Sequence, residues 1–511
     1  MLHPINPLIW ADIPDLDVIR VGDTYYMTST TMYFSPGCPV MKSKDLVNWE
    51  TIGYVYDTLE DNDDMALRNG RHAYGRGSWA SCIRHQAHNG IFYVVFAALN
   101  TGKTYIYTTT DIEGGKWKKH TLNAVYHDMS LLFDDDGRVY MVYGAGAIHV
   151  IELTADATAI KPDGLNKVII ENADISGGKS LAEGAHIYKK DGMYYIHMIV
   201  WPHTGTRRRT QVCYRASAID GPYEGRVTLD DDMGFQNAGV AQGGIVDTPK
   251  GDWYGLLFQD HGAVGRIPIL VPATWEDGWP IFGINGKVPW DLPLPKKIDE
   301  TACIATSDNF DSATLPLQWQ WNHNPDSNHW SLTARPGWLR LTAGSLAHSL
   351  SDAKNTLTMR TFGPTCTGGV SMDVSGMKDG DFAGLAALQD QYGYVGVKMA
   401  GGKKYITVAT APDAAKYKTG LPEVEEACLP LDTAHIYLRI DFNFADAIDQ
   451  ATFHYSLCGQ KWTPVGPTLH MSYRLTHFTG YRFALFNFAT RATGGYVDFD
   501  WFRIGATADA V

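Results

Sequence analysis

Residues 135–144 read DDGRVYMVYG: an acidic turn, a glycine at 137, two further residues, then Tyr140 entering an apolar run. Glycine supplies the positive φ that a tight hairpin needs, and Tyr, Met and Val in succession suit a buried strand. The same G-x-x-Y pattern returns as Gly22 to Tyr25 in VGDTYYMTS, Gly90 to Tyr93 in NGIFYVVFA, Gly192 to Tyr195 in DGMYYIHMI and Gly251 to Tyr254 in KGDWYGLLF. Successive glycines stand 68, 47, 55 and 59 residues apart. That spacing holds one four-stranded sheet per repeat, the length of a propeller blade, so five copies predict an all-β chain that opens with a five-bladed β-propeller. SKDLVNWE (43–50), TTDIEGGKW (109–117) and SAIDGPYE (217–224) each place a short polar turn before an aromatic residue, as an outer blade strand would.

The composition of the whole 511-residue chain agrees. Aromatic residues make up 12% and glycine contributes 51 positions, a balance for many short strands and tight turns. The net charge of -13 argues against a nucleic-acid partner. No apolar run reaches the ~18 residues of a membrane-spanning helix, so no membrane partner is expected. The seven cysteines are scattered and never closer than 30 residues; they read as buried free thiols, with neither a disulfide framework nor a metal knuckle.

Prolines and lysines concentrate between 286 and 301, in KVPWDLPLPKKIDET, which reads as a linker. The expected division is a propeller over 1–300 and a second domain over 301–511. After the linker the blade period stops and eleven aromatic or alternating strands follow, from HWSLTA to YVDFDWFRI. They predict a two-sheet, lectin-like jelly-roll sandwich.

In a blade, the strand before the turn glycine is the innermost and its first residues face the central funnel. Nine residues ahead of the glycines stand Ser81, Asp128, Glu183 and Gln242, and in the first copy Asp15 stands seven ahead. Three carboxylates and an amide thus converge, and a charge there is costly unless solvated, paired or used. Calcium usually takes about six to eight oxygens, often from one loop, whereas this set is dispersed. Pairing with a base such as Arg20 or Arg84 would make the acids structural. Their shared register favours a third reading, cleavage of a glycosidic bond, where one carboxyl protonates the leaving oxygen and a second activates water. A third nearby carboxylate can raise the acid's pKa by like-charge repulsion.

Asn6-Pro7, PDLDVIRVGDTYY (14–26), SPGCPVMKSKDLVNWE (35–50), SWASCIRH (78–85), DMSLLFDDDGRVYMVYG (128–144), AEGAHIYKKDGMYYIHM (182–198) and GRIPILVPATWEDGWP (265–280) resemble, in this order, glycoside hydrolase family 43. The resemblance covers most of residues 1–290. It implies an inverting enzyme in which Asp15 is the general base, Asp128 the carboxylate that orients and tunes, and Glu183 the general acid. Asp17 competes for the base, because PDLDV departs from the family's PDPSV type of segment; Asp12 is a weaker rival. Inversion would set the Asp15 and Glu183 carboxyls roughly 6.5–9.5 Å apart. Asp128, itself ionised, would keep Glu183 protonated near neutral pH.

The resemblance also makes Arg266 a ligand of sugar hydroxyls, while Trp79 is expected to stack on a sugar face or to wedge between blades. Where family members carry Gly-His-Gly beside an axial metal or water, this chain has Gln242-Gly243-Gly244. The amide of Gln242 can still bind substrate, but it is a poor transition-metal ligand. No cofactor is required on this reading, and an ion on the axis would be Ca2+ or sodium held largely by water. Asp134 to Gly137 reads as the hairpin turn of the third blade rather than a calcium loop, and no site is assigned to the basic run 207–209.

The second half resembles the C-terminal sandwich of xylosidase-like family members. It would bind carbohydrate, brace the propeller, or send an aromatic residue, Phe478 in HFTGY, over the pocket mouth. A sandwich walling off one side admits a chain end and not the middle of a polymer. The implied activity is therefore exo-acting release of β-D-xylose or α-L-arabinofuranose from hemicellulose-derived oligosaccharide or polysaccharide. An endo-acting arabinanase and a non-catalytic sugar-binding propeller are the alternatives. The sequence leaves the compartment open: cytoplasmic action on imported oligosaccharides with Met1 as the native start, periplasmic or secreted action if a leader was removed.

Overall fold

The computed structural model describes residues 5–178, 181–202, 205, 207–298, 303–411 and 423–511. Each G-x-x-Y copy is the hairpin between the first two strands of a four-stranded antiparallel blade. Blade 1 is Asp17–Val21, Thr24–Thr28, Gly37–Ser43 and Trp49–Tyr56. Blade 2 is Ser78–Gln86, Ile91–Ala98, Lys103–Thr109 and Lys118–Leu122. Blade 3 is Ser130–Phe133, Val139–Tyr143, Ile148–Leu153 and Asn166–Ile170. Blade 4 is Ala182–Lys190, Met193–Val200, Thr210–Ala216 and Glu224–Leu229. Blade 5 is Ala241–Asp247, Trp253–Asp260, Arg266–Glu276 and Trp279–Phe282.

The ring is closed by the start of the chain. The outer strand of blade 5 pairs only with residues 273–276 of its neighbour. The free part of that neighbour is met instead by Leu8 N–H donating to Pro268 O and Ile13 N–H to Arg266 O, both at 2.9 Å. The Asn6 side chain completes the seam by bonding both polar groups of the Leu270 main chain. Backbone groups that would otherwise be buried unpaired are thereby satisfied.

The second half forms a sandwich of two antiparallel sheets. One runs Gln320–Asn322, Leu357–Arg360, Arg482–Ala489, Asp381–Leu388, Gly393–Ala400, Lys403–Thr410, Val424–Leu431, and the propeller adds Phe34–Ser35 at its edge. The other is built around Tyr496–Gly505, Thr365–Asp373, His435–Asn443 and Gln450–Ser456. Fifteen strands from this half are present among the described residues where eleven were expected. Those missed are Gln320–Asn322, Val424–Leu431, Thr463–Pro464 and Leu469–His470; most are too short to show alternation, and Val424–Leu431 is an exposed edge strand rich in charge.

The expected boundary between residues 300 and 301 lies outside the described residues. The segment before it is pinned to the propeller, with Asn6 N–H donating to Trp290 O and Ile298 N–H to Asn48 Oδ1. The cysteine expectation needs one correction: Cys38, Cys82, Cys213, Cys303 and Cys366 are buried, but Cys428 and Cys458 are exposed, on an edge strand and in a loop.

Propeller and sandwich meet across a buried aromatic layer. Tyr74 stacks on His477 with ring centroids 4.1 Å apart, Tyr33 stacks on His323 at 4.9 Å, and the Arg482 guanidinium lies 3.6 Å over Phe34. Asp12 fastens the two halves, accepting from Arg266 N–H and from Gly480 N–H at 2.9 Å each. A carboxylate spent in this way is not available as a base. The layer also fixes the loop around Gly480, and that matters for what the loop carries.

Candidate active site

The inner strands enter the funnel through a repeated local device. Asp15 and Asp128 each stand two residues ahead of their strand in the left-handed region, at φ 49° and 46°, and Gln242 is at 63°. That conformation costs roughly 1–2 kcal/mol for most residues with a Cβ, and aspartate tolerates it best. In blades 2, 4 and 5 the ladder slips at the same place, between Ser78 and Ser81, Glu183 and His186, and Ala241 and Gly243. Bulges at a strand end re-aim side chains, and here Trp79, Glu183 and Gln242 belong to those bulged segments. Gly184, at φ 69°, lies so close to Gln242 that a Cβ would come 2.6 Å from its amide carbon.

The three carboxylates come from blades 1, 3 and 4 and meet. Asp15 is buried and accepts a 2.7 Å hydrogen bond from Arg266 Nη1. Burial raises its pKa above the ordinary aspartate value; the Arg266 charge opposes the rise, and the nearby carboxylates Glu183, Asp260 and Asp12 add to it. Asp128 accepts from Gly184 N–H at 3.0 Å. Its carboxyl is pushed up to about 7, by burial first; the His127 charge works against this, while those of Glu183 and Asp15 reinforce it. Glu183 keeps 22% of its side chain exposed and meets His127 Nε2 at 3.0 Å through Oε2.

The walls are equally defined. Trp79 stacks on Phe478, centroids 5.2 Å apart and planes 26° from parallel, and also touches the His127 ring at 5.7 Å. Phe478 comes from the sandwich, on the loop held by the Tyr74–His477 stack, and its ring lies 4.5 Å from the Arg266 guanidinium. Trp79, Arg266 and the aromatic residue expected over the mouth are therefore in one cluster with the acids. Replacing Phe478 by alanine should raise KM about tenfold with a smaller change in kcat, since an aromatic stack or a cation–π contact is worth ~1 kcal/mol each. Steady-state kinetics check this, and an unchanged KM would remove Phe478 from the substrate's surroundings.

Gln242 is 3% exposed, and its main-chain N–H is held by Gln211 Oε1 at 2.8 Å. It packs against Gly184, on the strand that bears Glu183, more as a support than as an open wall.

Asp17, the competitor for the base, has a different fate. It is fully buried, and its Oδ2 accepts from Arg84 Nη1 at 2.6 Å and from Ile83 N–H at 3.0 Å. Its Oδ1 lies 3.1 Å from the Tyr188 hydroxyl and 3.2 Å from His186 Nδ1. Burial opposes its ionisation, but Arg84 and His186 outweigh that and hold its pKa below the usual range. Arg84 also donates to Leu131 O, Ser130 Oγ and Ile187 O, and Ile245 N–H donates to Tyr188 Oη. A knot that touches the inner strands of all five blades lies on the axis.

Gly244 packs on this knot, since a Cβ there would come 2.6 Å from Asp17 Oδ1. A guanidinium already neutralises the axial carboxylate, and both carboxylate oxygens are taken. These residues do not fit a resident cation, and no chemical step is assigned to one.

Sequence reasoning missed His127 and the outer support of Arg266. Arg266 Nε faces Asp260 Oδ1 at 3.5 Å, and Asp260 Oδ2 is held by Arg209 Nη2 at 2.7 Å. Arg208 pairs with Asp230 and Asp232. Arg209 thus steadies Arg266 from behind through Asp260. The only signals for this were the adjacency of His127 to Asp128 and a cluster of arginines with no partner in view. Asp134 to Gly137 is the blade 3 turn, closed by Gly137 N–H donating to Asp134 O at 3.0 Å.

Paired carboxylates in separate environments, beside a stacked tryptophan and a buried arginine, are the equipment of a glycoside hydrolase. Comparison with known proteins gives the same class. The family profile for glycosyl hydrolases family 43 matches residues 4–280, and that for the beta xylosidase C-terminal Concanavalin A-like domain matches residues 307–505. The chain belongs to glycosyl hydrolases family 43.

It is 33% identical to a beta-xylosidase of Formosa agariphila, over 98% of this chain and 89% of that protein. It is 30% identical to a non-reducing end alpha-L-arabinofuranosidase of Bacteroides ovatus, over 75% of this chain and 73% of that protein. A solved structure, a bifunctional GH43-CE protein of Bacteroides eggerthii, superposes with a TM-score of 0.93 at 49% identity. That match covers 99% of this chain, which spans 64% of the length of the bifunctional protein.

Proposed function

We propose that the protein is an exo-acting glycoside hydrolase that removes terminal pentose, β-D-xylose or α-L-arabinofuranose, from hemicellulose-derived oligosaccharides with inversion at the anomeric carbon. The observation that carries this reading is the meeting of Asp15 and Glu183, each with its own partner, beside a wall that the second domain supplies. Asp15, buried and steered by Arg266, takes the proton of an attacking water. Glu183, more exposed and held by His127, gives a proton to the leaving oxygen. Asp128 sits behind Glu183 through Gly184 N–H and adjusts the acid by charge and position. Phe478 closing over Trp79 favours a chain end over a chain interior. Relatives named for xylosidase and for arabinofuranosidase activity support a pentose in the site.

The test is hydrolysis of 4-nitrophenyl β-D-xylopyranoside, 4-nitrophenyl α-L-arabinofuranoside and xylotriose, with the anomer first released followed by proton NMR. A single monosaccharide product formed with inverted configuration is expected. Mixed oligomers from xylan or arabinan would point to endo action, and binding without turnover would point to a lectin-like role. Glu183→Ala is expected to lose about 10³-fold on xylotriose and much less on the aryl substrates, because nitrophenolate leaves with little help from an acid. Equal losses on both would reject Glu183 as the acid.

A further inference from the structure

We propose that His127 is a positioning residue for the general acid: its Nε2–H holds Glu183 Oε2, so that the acid's proton is carried on Oε1 and delivered from there. This rests on the reading of Glu183 as the acid given above. His127 directly precedes Asp128 at the pocket end of the blade 3 inner strand, and its main chain is fixed by Gly144 N–H donating to its carbonyl at 2.9 Å. Its ring leans on Trp79 with planes 59° apart. Nε2 is 3.0 Å from Glu183 Oε2 and 3.6 Å from Asp128 Oδ2, and 29% of the side chain is exposed.

The charged groups acting on the ring are Asp128, Glu183 and Asp15, all acidic. Burial alone would depress its pKa; while these carboxylates are ionised, the Glu183 hydrogen bond and their charges outweigh burial and raise it, and a proton on Glu183 withdraws part of that support. With its hydrogen on Nε2 the ring donates to Glu183 Oε2 whether or not Nδ1 is also protonated. An oxygen that accepts from it does not carry the proton, which leaves the other oxygen of the same carboxyl to do so.

In the reaction, the proton on Glu183 Oε1 moves to the glycosidic oxygen as the bond from C1 to that oxygen breaks, and the bonding pair stays on the oxygen. A lone pair of the attacking water forms the new bond to C1, and that water's proton passes to Asp15. Glu183 is left as a carboxylate facing the Nε2–H donor of His127. A neutral carboxyl acceptor has thereby become an ionic one, and a hydrogen bond with an ionised partner is roughly twice as strong as one between neutral groups. The gain appears as the proton leaves, so it lowers the barrier most where the leaving group most needs protonation. Solvent then returns a proton to Glu183 and removes one from Asp15.

The experiment compares His127→Phe, which keeps a ring against Trp79, and His127→Gln, which keeps a neutral donor. Each is assayed on two pairs of substrates: 4-nitrophenyl β-D-xylopyranoside with xylobiose, and 4-nitrophenyl α-L-arabinofuranoside with methyl α-L-arabinofuranoside. The phenylalanine variant is expected to lose about 10²-fold in kcat on the poor leaving group and less than about fivefold on the aryl partner, with KM little changed. The glutamine variant should recover part of the loss. Equal losses within each pair, or none on the poor leaving group, overturn the proposal. Glu183→Ala in parallel separates the two readings. If it fails to discriminate within the pairs, the acid assignment falls; if it discriminates and His127→Phe does not, only the role of His127 falls. Should the phenylalanine variant not fold, as judged by circular dichroism, the glutamine variant decides by the same ratio.

Discussion

Alanine at position 15 removes turnover of both aryl pentosides, with kcat/KM expected to fall on the order of 10⁴-fold by a factor that ignores the leaving group. Water must be activated whichever alcohol departs, so a good leaving group gives no relief. That independence is the signature that separates the base from the acid. The surroundings of Asp15 also set the pH response. Burial raises its pKa, and Arg266 at 2.7 Å opposes the rise. A base works only when ionised, so the acid limb of kcat/KM should lie above the ordinary aspartate value of about 4. Arg266→Met withdraws the opposing charge and should move that limb to higher pH. Rate profiles of wild type and both variants check this. Retention of a tenth or more of the wild-type activity in Asp15→Ala would end the assignment. So would Asp17→Asn reproducing its loss with the fold intact.

Much of this was legible in the chain because a propeller repeats one unit, and the turn glycine gives each copy an origin from which to count. The count also shows where legibility ended. Asp15 stands seven residues ahead of its glycine and Asp128 nine, yet both lie two residues ahead of their strands. The difference is in the turn. Blade 1 joins Val21 to Thr24 through two residues, whereas blade 3 joins Phe133 to Val139 through five. In blade 4 the slip between Glu183 and His186 restores the register by another route.

Spacing could thus nominate the acids without explaining their alignment. His127 was harder to find, because its meaning depends on Glu183, 56 residues away on another blade, and no local pattern announces that pairing. Phe478 could be named from its motif, but the Tyr74–His477 stack that carries it into place joins residues some 400 positions apart. The edge strand from Phe34 to Ser35, lent to the sandwich by the propeller, was equally out of reach, since a two-residue pairing has no period to read.

The second large effect concerns stability. Arg84→Met should destabilise the propeller by about 3–5 kcal/mol, because it leaves the Asp17 carboxylate buried without its main partner. Asp17 is wholly inaccessible, and among the described residues Arg84 is the only full positive charge bonded to it; His186, 3.2 Å away, is charged only if protonated. Loss of Arg84 also frees the acceptors Leu131 O and Ile187 O on two further blades. The melting temperature should fall on the order of 10 °C. Pairing the change with Asp17→Asn should restore part of it, since no charge is then left unpaired, and the recovery measures how much of the loss is electrostatic. A melting temperature within about 2 °C of wild type for the single variant would mean the knot is not what joins the blades. Two residues of chain separate a carboxylate that a guanidinium fixes permanently inside the axis from one that a second guanidinium holds ready at its mouth. Alternation alone would point residues 15 and 17 to one side; the left-handed backbone of Asp15, ahead of the strand, is what sends its side chain elsewhere.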